Sequence, residues 1–286
     1  MLPARPHESL LRLSAGEGET LDAICGGDVR LLQSATGYRF NLDPILLAHF
    51  AARAPGAARG PVIELGTGCG VIPLILARKF GRREVTALEV QPGLYALAQR
   101  NVHLNRCERW ISLVQGDLRK VDRQFQPGAF AHVICNPPYR ATDSGRISPE
   151  EEKACARHEV LCALDDVLSA AAHLLRERGV FSLIFPTARL VELMQGLREH
   201  RLEPKVLRMV HARPDRPAKL LLLQAVKGGG ASLEVLPPLV VHEENRRFSP
   251  EVRSMLEDGG EESPGPDEHE AGGGTDSSPM EMETSV

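Results

Sequence analysis

Four consecutive residues, Asn136-Pro137-Pro138-Tyr139, bring together an amide, two rigid imino acids and an aromatic ring after an apolar stretch. An amine attached to an aromatic ring or to a carbonyl is a poor nucleophile, because its lone pair is delocalised. The side-chain oxygen of Asn136 and the carbonyl of Pro137 could accept both hydrogens of such an amine and free its lone pair. Pro138 removes a competing donor, and Tyr139 offers a ring for stacking. These residues predict a catalytic amine clamp, with a rigid turn as the alternative.

A glycine-rich loop, Glu64-Leu65-Gly66-Thr67-Gly68-Cys69-Gly70, lies where an apolar stretch meets a helical pattern. Glycines let the backbone approach a ligand closely, and N–H groups at the start of a helix favour polar or anionic groups. The third glycine comes one residue earlier than in the dinucleotide-binding pattern, and an acidic residue precedes the first. The loop therefore predicts a nucleotide site of a different kind.

Two further carboxylates lie at the end of the second predicted strand and just after the third. Glu89 could accept hydrogen bonds from two ribose hydroxyls, and Asp117 could accept one from the exocyclic amine of adenine. Three acidic strand ends around a glycine loop predict a pocket that repels phosphates and holds an adenosine compound with a sulfonium and an amino acid. Each carboxylate alone could instead be a helix cap or a surface charge. The predicted cofactor-binding residues are Glu64, Gly66, Thr67, Gly68, Gly70, Glu89, Asp117 and Asn136.

Strand and helix patterns alternate from Pro61 onward, which predicts an α/β fold with a parallel sheet and helices on both faces. Right-handed crossovers bring the strand-to-helix loops to the carboxyl edge, where ligands bind. The connector 211–219 is too short for a crossover helix, so the last two strands should be antiparallel. If the earlier of the two runs parallel with the rest, their turn also lies at the carboxyl edge. The seven predicted strands are 62–65, 85–90, 111–114, 129–135, 180–185, 205–210 and 220–226.

At the glycine loop the chain resembles the class I S-adenosylmethionine-dependent methyltransferases. Their Glu/Asp-x-Gly-x-Gly-x-Gly loop and acidic second-strand end match Glu64, Gly66, Gly68, Gly70 and Glu89. The resemblance implies S-adenosylmethionine as cofactor and a Rossmann-like, seven-stranded, mostly parallel sheet with an antiparallel last strand. The amine clamp is similar to that of methyltransferases acting on exocyclic amines of adenine, cytosine or guanine, or on a glutamine side-chain amide.

Over residues 21 to about 256 the chain resembles the bacterial tRNA1(Val) (adenine-37-N6)-methyltransferase family, which implies methylation of a tRNA adenine at N6. The matching patterns are Gly37-Tyr38-Arg39-Phe40 with Asp43 and 46–48, then 156–159, 237–239 and 249–252. Basic side chains after the clamp and in the last turn could neutralise RNA phosphates, or could be ordinary solvated charges. These residues are Arg140, Arg146, Arg157, His158, Arg213, Arg216 and Lys219.

Other functions stay open at this point. A glutamine-modifying enzyme of the release-factor type usually carries a helical domain before the glycine loop, whereas residues before Val62 suggest strands and one helix. A DNA adenine enzyme normally has a separate target-recognition domain, and an rRNA amine is a further possible substrate. An NAD-dependent oxidoreductase would share the sheet, but neither the glycine spacing nor the clamp favours it. An RNA-binding module that keeps a cofactor pocket without turnover is also compatible with the sequence.

The 286 residues carry a net charge of −4 that is unevenly distributed. Residues 251–286 hold 11 Asp and Glu against one Arg, and residues 1–250 hold 33 Lys and Arg against 27 Asp and Glu. Few apolar residues in the tail predict disorder there, while a basic body is compatible with a polyanionic partner. We expect an N-terminal extension over 1–60, a methyltransferase domain over 61–250 and an acidic tail over 251–286.

The cysteine spacing and the lengths of the apolar runs indicate which sites and segments the chain should lack. Six scattered cysteines without a Cys-x-x-Cys pair predict no zinc or other metal site, and no apolar run is long enough to span a membrane. We therefore expect a reduced, cytoplasmic protein.

Asp43 should be the N-cap of a helix over 45–53, and a second helix should cover 165–178.

Overall fold

A computed structural model describes residues 14–36, 39–54, 60–137, 164–244 and 247–257. Its helices and strands are, in chain order, β1 (Glu19–Ile24), β2 (Val29–Ser34), α1 (Asp43–Ala52), β3 (Val62–Leu65), α2 (Val71–Arg78), β4 (Val85–Glu89), α3 (Pro92–Leu104), β5 (Ile111–Gln115), β6 (Phe130–Cys135), α4 (Leu164–Leu174), β7 (Leu175–Pro186), α5 (Leu190–Glu199), β8 (Leu202–His211), β9 (Ala218–Lys227), β10 (Glu234–Val235), β11 (Leu239–Val240) and α6 (Pro250–Glu257). Strands β1 and β2 form an antiparallel hairpin of their own.

The central sheet contains the seven predicted strands, β3 to β9, in the spatial order β5-β4-β3-β6-β7-β9-β8. Neighbouring strands from β5 to β7 pair in parallel, whereas β9 is antiparallel to both β7 and β8. This order confirms the α/β class and the antiparallel last strand. Because β8 then runs in the direction of β3, the turn between β8 and β9 lies at the carboxyl edge, as expected. The short strands β10 and β11 extend the sheet beside β8.

Helices cover both faces of the sheet. Helices α1, α2 and α3 pack in one apolar cluster, and α4 and α5 pack in another on the opposite face. Helix α2 is buried except at Arg78, because it lies against α1, β2 and the sheet. Each fully buried Leu or Ile in these layers contributes about 1.5–3 kcal/mol. None of the helices in the described ranges combines the length and apolarity needed to cross a membrane.

Helix α6 corrects the predicted boundary of the acidic tail. Oγ of Ser249 accepts a hydrogen bond from the N–H of Val252 at 3.3 Å, which caps the start of the helix. Val252 and Met255 are buried in the cluster that contains α1. The prediction of disorder from residue 251 is therefore wrong for 251–257, because the composition of the whole tail concealed two apolar residues at helical spacing. Residues 258–286 lie outside the described residues.

Two helix boundaries also differ from the prediction. Asp43 is the first residue of α1, and the N-cap is Leu42, so the assignment of Asp43 as the cap is wrong. The helix predicted over 165–178 ends at Leu174, because Leu175 already pairs with Phe130 of β6. Arg178 has a φ of 63°, which is incompatible with a right-handed helix.

Candidate active site

The glycine loop, Gly66 to Gly70, connects the end of β3 to the start of α2. The N–H groups of Gly66 and Thr67 donate to the carbonyl of Leu88 at 2.9 and 3.0 Å, which joins the loop to the end of β4. Gly66 has a φ of +73°, and a Cβ at this position would meet no atom within 4 Å. The glycine thus keeps open space beside the backbone, as a site for a small ligand requires.

Glu89 is the buried carboxylate at the end of β4. Its Oε2 accepts a hydrogen bond from the N–H of Gly68 at 2.8 Å, and its Oε1 accepts one from Gln91 at 2.9 Å. Each carboxylate oxygen keeps a second lone pair that can accept from a hydroxyl group. The predicted ribose acceptor is therefore oriented by the backbone and lies directly against the glycine loop.

Glu64 is a second buried carboxyl group, in β3. Oγ1 of Thr67 donates a hydrogen bond to its Oε2 at 2.5 Å. Burial raises the pKa of Glu64 to about 8; the Thr67 hydrogen bond opposes this rise, and the nearby charge of Glu89 adds to it. Glu64 is therefore mostly protonated at neutral pH in the ligand-free protein. A positively charged ligand nearby would favour its ionised form.

The free energy of unfolding should report this protonation. The folded protein binds the Glu64 proton more tightly than the unfolded chain does. The contribution of this proton to the free energy of unfolding is therefore complete below pH 4.5, and it is lost as the pH rises to about 8. Buried His132, whose pKa burial lowers to about 3, acts in the opposite direction below pH 6.5. Between these limits, from pH 6.5 to about 8, urea unfolding of ligand-free protein should show a fall in stability that Glu64→Gln abolishes. An equal fall in stability in the unmodified protein and in Glu64→Gln would contradict the raised pKa of Glu64.

Asp117 follows β5 at the same edge, but its carboxylate already has strong partners. It accepts hydrogen bonds from the N–H of Arg119 at 3.0 Å and from Nη2 of Arg119 at 2.6 Å. These bonds cap the short 3-10 turn Leu118–Arg123, and the Arg119 side chain lowers the pKa of Asp117. The geometry indicates a capping role, and the adenine contact stays a prediction. Neither Asp117 nor any other described carboxylate belongs to a cluster of three metal-ligating side chains.

Asn136 and Pro137 follow β6 beside the glycine loop. Cys135 pairs with Leu65 across β6 and β3, and Sγ of Cys135 donates to the Leu65 carbonyl at 3.4 Å. The next residues, Asn136 and Gly66, therefore leave the sheet side by side. Asn136 is partly exposed and Pro137 is buried. The remaining predicted residues of this region lie outside the described residues: Pro138, Tyr139, Arg140, Arg146, Arg157 and His158.

Three predicted basic residues lie at or beside the turn between β8 and β9. Arg213 and Arg216 flank Asp215, with distances of 3.6 and 3.4 Å from their Nε atoms to its carboxylate. Arg216 and Lys219 are exposed. Two strand spacings of about 4.8 Å separate β9 from β6, so this turn is roughly 10 Å to one side of the strand that precedes the clamp.

Two residues that the sequence did not single out also lie at the site. Val90 follows Glu89 and is 43% exposed, so an apolar side chain is open to solvent at the carboxyl edge. Asn101 on α3 donates a hydrogen bond from Nδ2 to the carbonyl of Cys69 in the loop at 2.9 Å. The available signal for Asn101 was its spacing of four residues from Asn105, which puts two amides on one helix face. Val90 gave no comparable signal.

Comparison with known proteins assigns a family. Residues 43–187, about half of the chain, match the methyltransferase small domain. A relative from Porphyromonas gingivalis strain W83, named tRNA1(Val) (adenine(37)-N6)-methyltransferase, is 27% identical over 231 residues, which cover 79% of this chain and 89% of that protein. A protein of the same name from Shewanella loihica is 33% identical over 173 residues, which cover 59% of this chain and 69% of that protein.

Solved structures share the fold. A predicted O-methyltransferase from Agrobacterium tumefaciens superposes with a TM-score of 0.59 at 24% identity, covering 76% of this chain and 96% of that one. TYW2 from M. jannaschii, solved in complex with AdoMet, superposes with a TM-score of 0.50 at 16% identity, covering 74% of this chain and 86% of that one. The sheet order, the glycine loop and the family match agree. The chain belongs to the methyltransferase small domain family and has the Rossmann-like fold of the class I S-adenosylmethionine-dependent methyltransferases.

Proposed function

We propose that this methyltransferase transfers a methyl group from S-adenosylmethionine to the N6 amine of an adenine in tRNA. The main support is the position of Asn136 and Pro137, which leave β6 beside Gly66 of the glycine loop. Two adjacent acceptors suit an amine better than a hydroxyl group, because the amine offers two hydrogens. The names of relatives at 25–33% identity support adenine in tRNA as the substrate.

The proposed cofactor site uses the carboxyl ends of β3 and β4. Glu89 would accept hydrogen bonds from the ribose hydroxyls through its remaining lone pairs, and the space beside Gly66 would admit the cofactor. Val90 would cover one face of the adenine ring. The negative charge of Glu89, together with that of Glu64 once ionised, favours a cation over a pyrophosphate. When bound, S-adenosylmethionine supplies an electrophilic methyl group on a sulfonium.

The proposed clamp prepares the amine for attack. Oδ1 of Asn136 and the carbonyl of Pro137 would each accept one N–H hydrogen, so that the nitrogen becomes tetrahedral and its lone pair points toward the methyl group. Pro138 would hold the bend rigid, and Tyr139 would stack on the adenine ring, at about 1–3 kcal/mol for a stacked base. The attacking amine is neutral and loses its proton readily after methylation, so the reaction needs no strong general base.

The proposed RNA contacts come from basic residues that follow the clamp in the sequence and from the turn between β8 and β9. Loop bases of tRNA are already partly unstacked, so moving the target adenine into the site costs little. A cytoplasmic location would be compatible with a tRNA substrate. The basic side chains that would bind phosphates are Arg140, Arg157, His158, Arg213, Arg216 and Lys219.

Replacing one exposed cation of the turn should change the salt dependence of tRNA binding. We expect Arg216→Ala to weaken binding and to reduce the slope of log affinity against log salt by about 0.7–0.9, the value for one phosphate contact. At saturating tRNA, kcat should change little. Arg198→Ala is a matched control, because Arg198 is an exposed arginine near the end of α5. It lies at the amino ends of the parallel strands, opposite the candidate site. Equal slope changes in both variants would point to net charge rather than to contacts in the turn.

The substrate class is tested by offering alternatives to the same enzyme preparation. The full chain is incubated with methyl-labelled S-adenosylmethionine and, separately, with tRNA, duplex DNA and a peptide release factor. The proposal expects label in tRNA alone. Label in the release factor or in DNA, and not in tRNA, would contradict the proposed tRNA substrate. Binding of the cofactor without label in tRNA, DNA or the release factor would favour an RNA-binding module without turnover.

A further inference from the structure

A single side chain on α3, Asn101, connects the N-terminal hairpin to the glycine loop. Asn101 is fully buried. Its Oδ1 accepts a hydrogen bond from the N–H of Leu32 at 2.7 Å, and its Nδ2 donates to the carbonyl of Leu32 at 3.0 Å. The same Nδ2 donates to the carbonyl of Cys69 at 2.9 Å. The amide therefore pairs with β2 as a neighbouring strand would, and it uses its second N–H to hold the loop.

The bond to Cys69 restrains the central peptide of the loop. The N–H of Gly70 donates to the carbonyl of Thr67 at 3.0 Å. In a trans peptide the C=O and the N–H point in opposite directions, so the peptide between Cys69 and Gly70 is bound on both sides. Without Asn101, the turn bond to Thr67 would be the one hydrogen bond among the described residues that still holds this peptide.

The other end of the connection reaches the segment that precedes α1. Oε1 of Gln33 in β2 accepts a hydrogen bond from the N–H of Phe40 at 3.1 Å, and Nη2 of Arg39 donates to Asp22 at 2.9 Å. A shift of the hairpin would therefore move this segment relative to the glycine loop.

We infer that Asn101 is a positioning residue, which sets the cofactor affinity by fixing the glycine loop against the N-terminal hairpin. Asn101 does not need to touch the cofactor, because it acts through the Cys69 carbonyl. The inference rests on the proposed function only in taking S-adenosylmethionine as the ligand of the loop.

Asn105, four residues after Asn101 at the C-terminal cap of α3, is a matched control. Its Oδ1 accepts from the N–H of Arg30 at 2.9 Å, and its Nδ2 donates to the carbonyl of Arg30 at 2.7 Å. Its second donor bond goes to the carbonyl of Asn101 at 2.7 Å and not to the loop. Asn105 thus holds the same strand by the same pair of bonds, and only Asn101 also holds the loop.

The test compares Asn101→Ala with Asn105→Ala in the full chain. Calorimetry gives the Kd for S-adenosylmethionine, and urea unfolding gives the stability. We expect both variants to lose stability, and the Kd to rise about tenfold in Asn101→Ala but less than about twofold in Asn105→Ala. If Asn101→Ala does not fold, Asn101→Leu replaces it, with Asn105→Leu as its control, because leucine keeps the side-chain volume, adds no buried charge and lacks the donor to Cys69.

The outcomes separate this inference from the proposed function. Equal rises in Kd for the two variants, or no rise in either, would overturn the role of Asn101. Failure of the unmodified protein to bind S-adenosylmethionine would instead overturn the proposed function. A raised Kd in Asn101→Ala with kcat retained at saturating cofactor is the result that positioning predicts.

Discussion

Asn136→Ala is expected to lower kcat by about two to three orders of magnitude, while the Kd for S-adenosylmethionine changes by less than about threefold. The size of the loss is that of removing one oriented hydrogen-bond acceptor from a transition state in which charge develops. In the proposed clamp the amide oxygen would have its largest effect when the amine becomes tetrahedral, so the loss should appear in the methyl-transfer step. Single-turnover kinetics with preformed complexes measure that step directly.

The control for Asn136→Ala is the Arg216→Ala variant, which should change tRNA binding and leave the transfer step nearly intact. A clamp acts after both ligands are bound, so its loss should not depend on salt. Equal losses in transfer and in cofactor binding for Asn136→Ala would show that the side chain supports the pocket rather than the amine.

Glu89→Ala is expected to weaken binding of S-adenosylmethionine by about 100-fold. Hydrogen bonds to charged groups contribute about 1.5–3 kcal/mol each, and Glu89 would make such bonds to the ribose. The variant also releases the N–H groups of Gly68 and Gln91, which Glu89 now holds at 2.8 and 2.9 Å. Calorimetric titration with the cofactor measures the loss.

Asp117→Ala is the informative comparison for Glu89→Ala. The carboxylate of Asp117 is engaged by Arg119, so the loss of cofactor affinity should be roughly tenfold or less. A smaller loss in Glu89→Ala than in Asp117→Ala would contradict the assignment of Glu89 as the principal contact of the cofactor. Near-ultraviolet circular dichroism of each ligand-free variant shows whether the fold is retained.

The sheet was largely predictable because its signals are local. The apolar stretches of β3, β4 and β6 are bounded by glycine, proline and helix-start residues, and the short connector between β8 and β9 required an antiparallel pair. The end of the fold was less predictable. Helix α6 depends on burial of Val252 and Met255 against distant parts of the chain, which a composition dominated by acidic residues does not reveal.

In the candidate site, too, features with local sequence signals were predictable and features that depend on distant contacts were not. The sequence correctly predicts that Glu64, Glu89 and the glycine loop share one edge of the sheet, because strand ends of a parallel sheet meet there, and cofactor binding by these residues stays a prediction. The partner of Asp117 was not evident, since an Asp followed two residues later by Arg is common in turns. The role of Asn101 depends on contacts with Leu32 and Cys69 that are 69 and 32 residues away, and no local pattern encodes them.

The chemical identity of the methylated nucleoside tests the amine clamp most directly. tRNA methylated by the enzyme with labelled S-adenosylmethionine is digested to nucleosides, which are separated and identified by mass spectrometry. We predict that the label appears on an exocyclic amine, as N6-methyladenosine for the proposed adenine substrate, because two adjacent acceptors would hold both hydrogens of a planar NH2 group. Label at a ribose oxygen or at a ring carbon, with none on an exocyclic amine, would contradict the clamp.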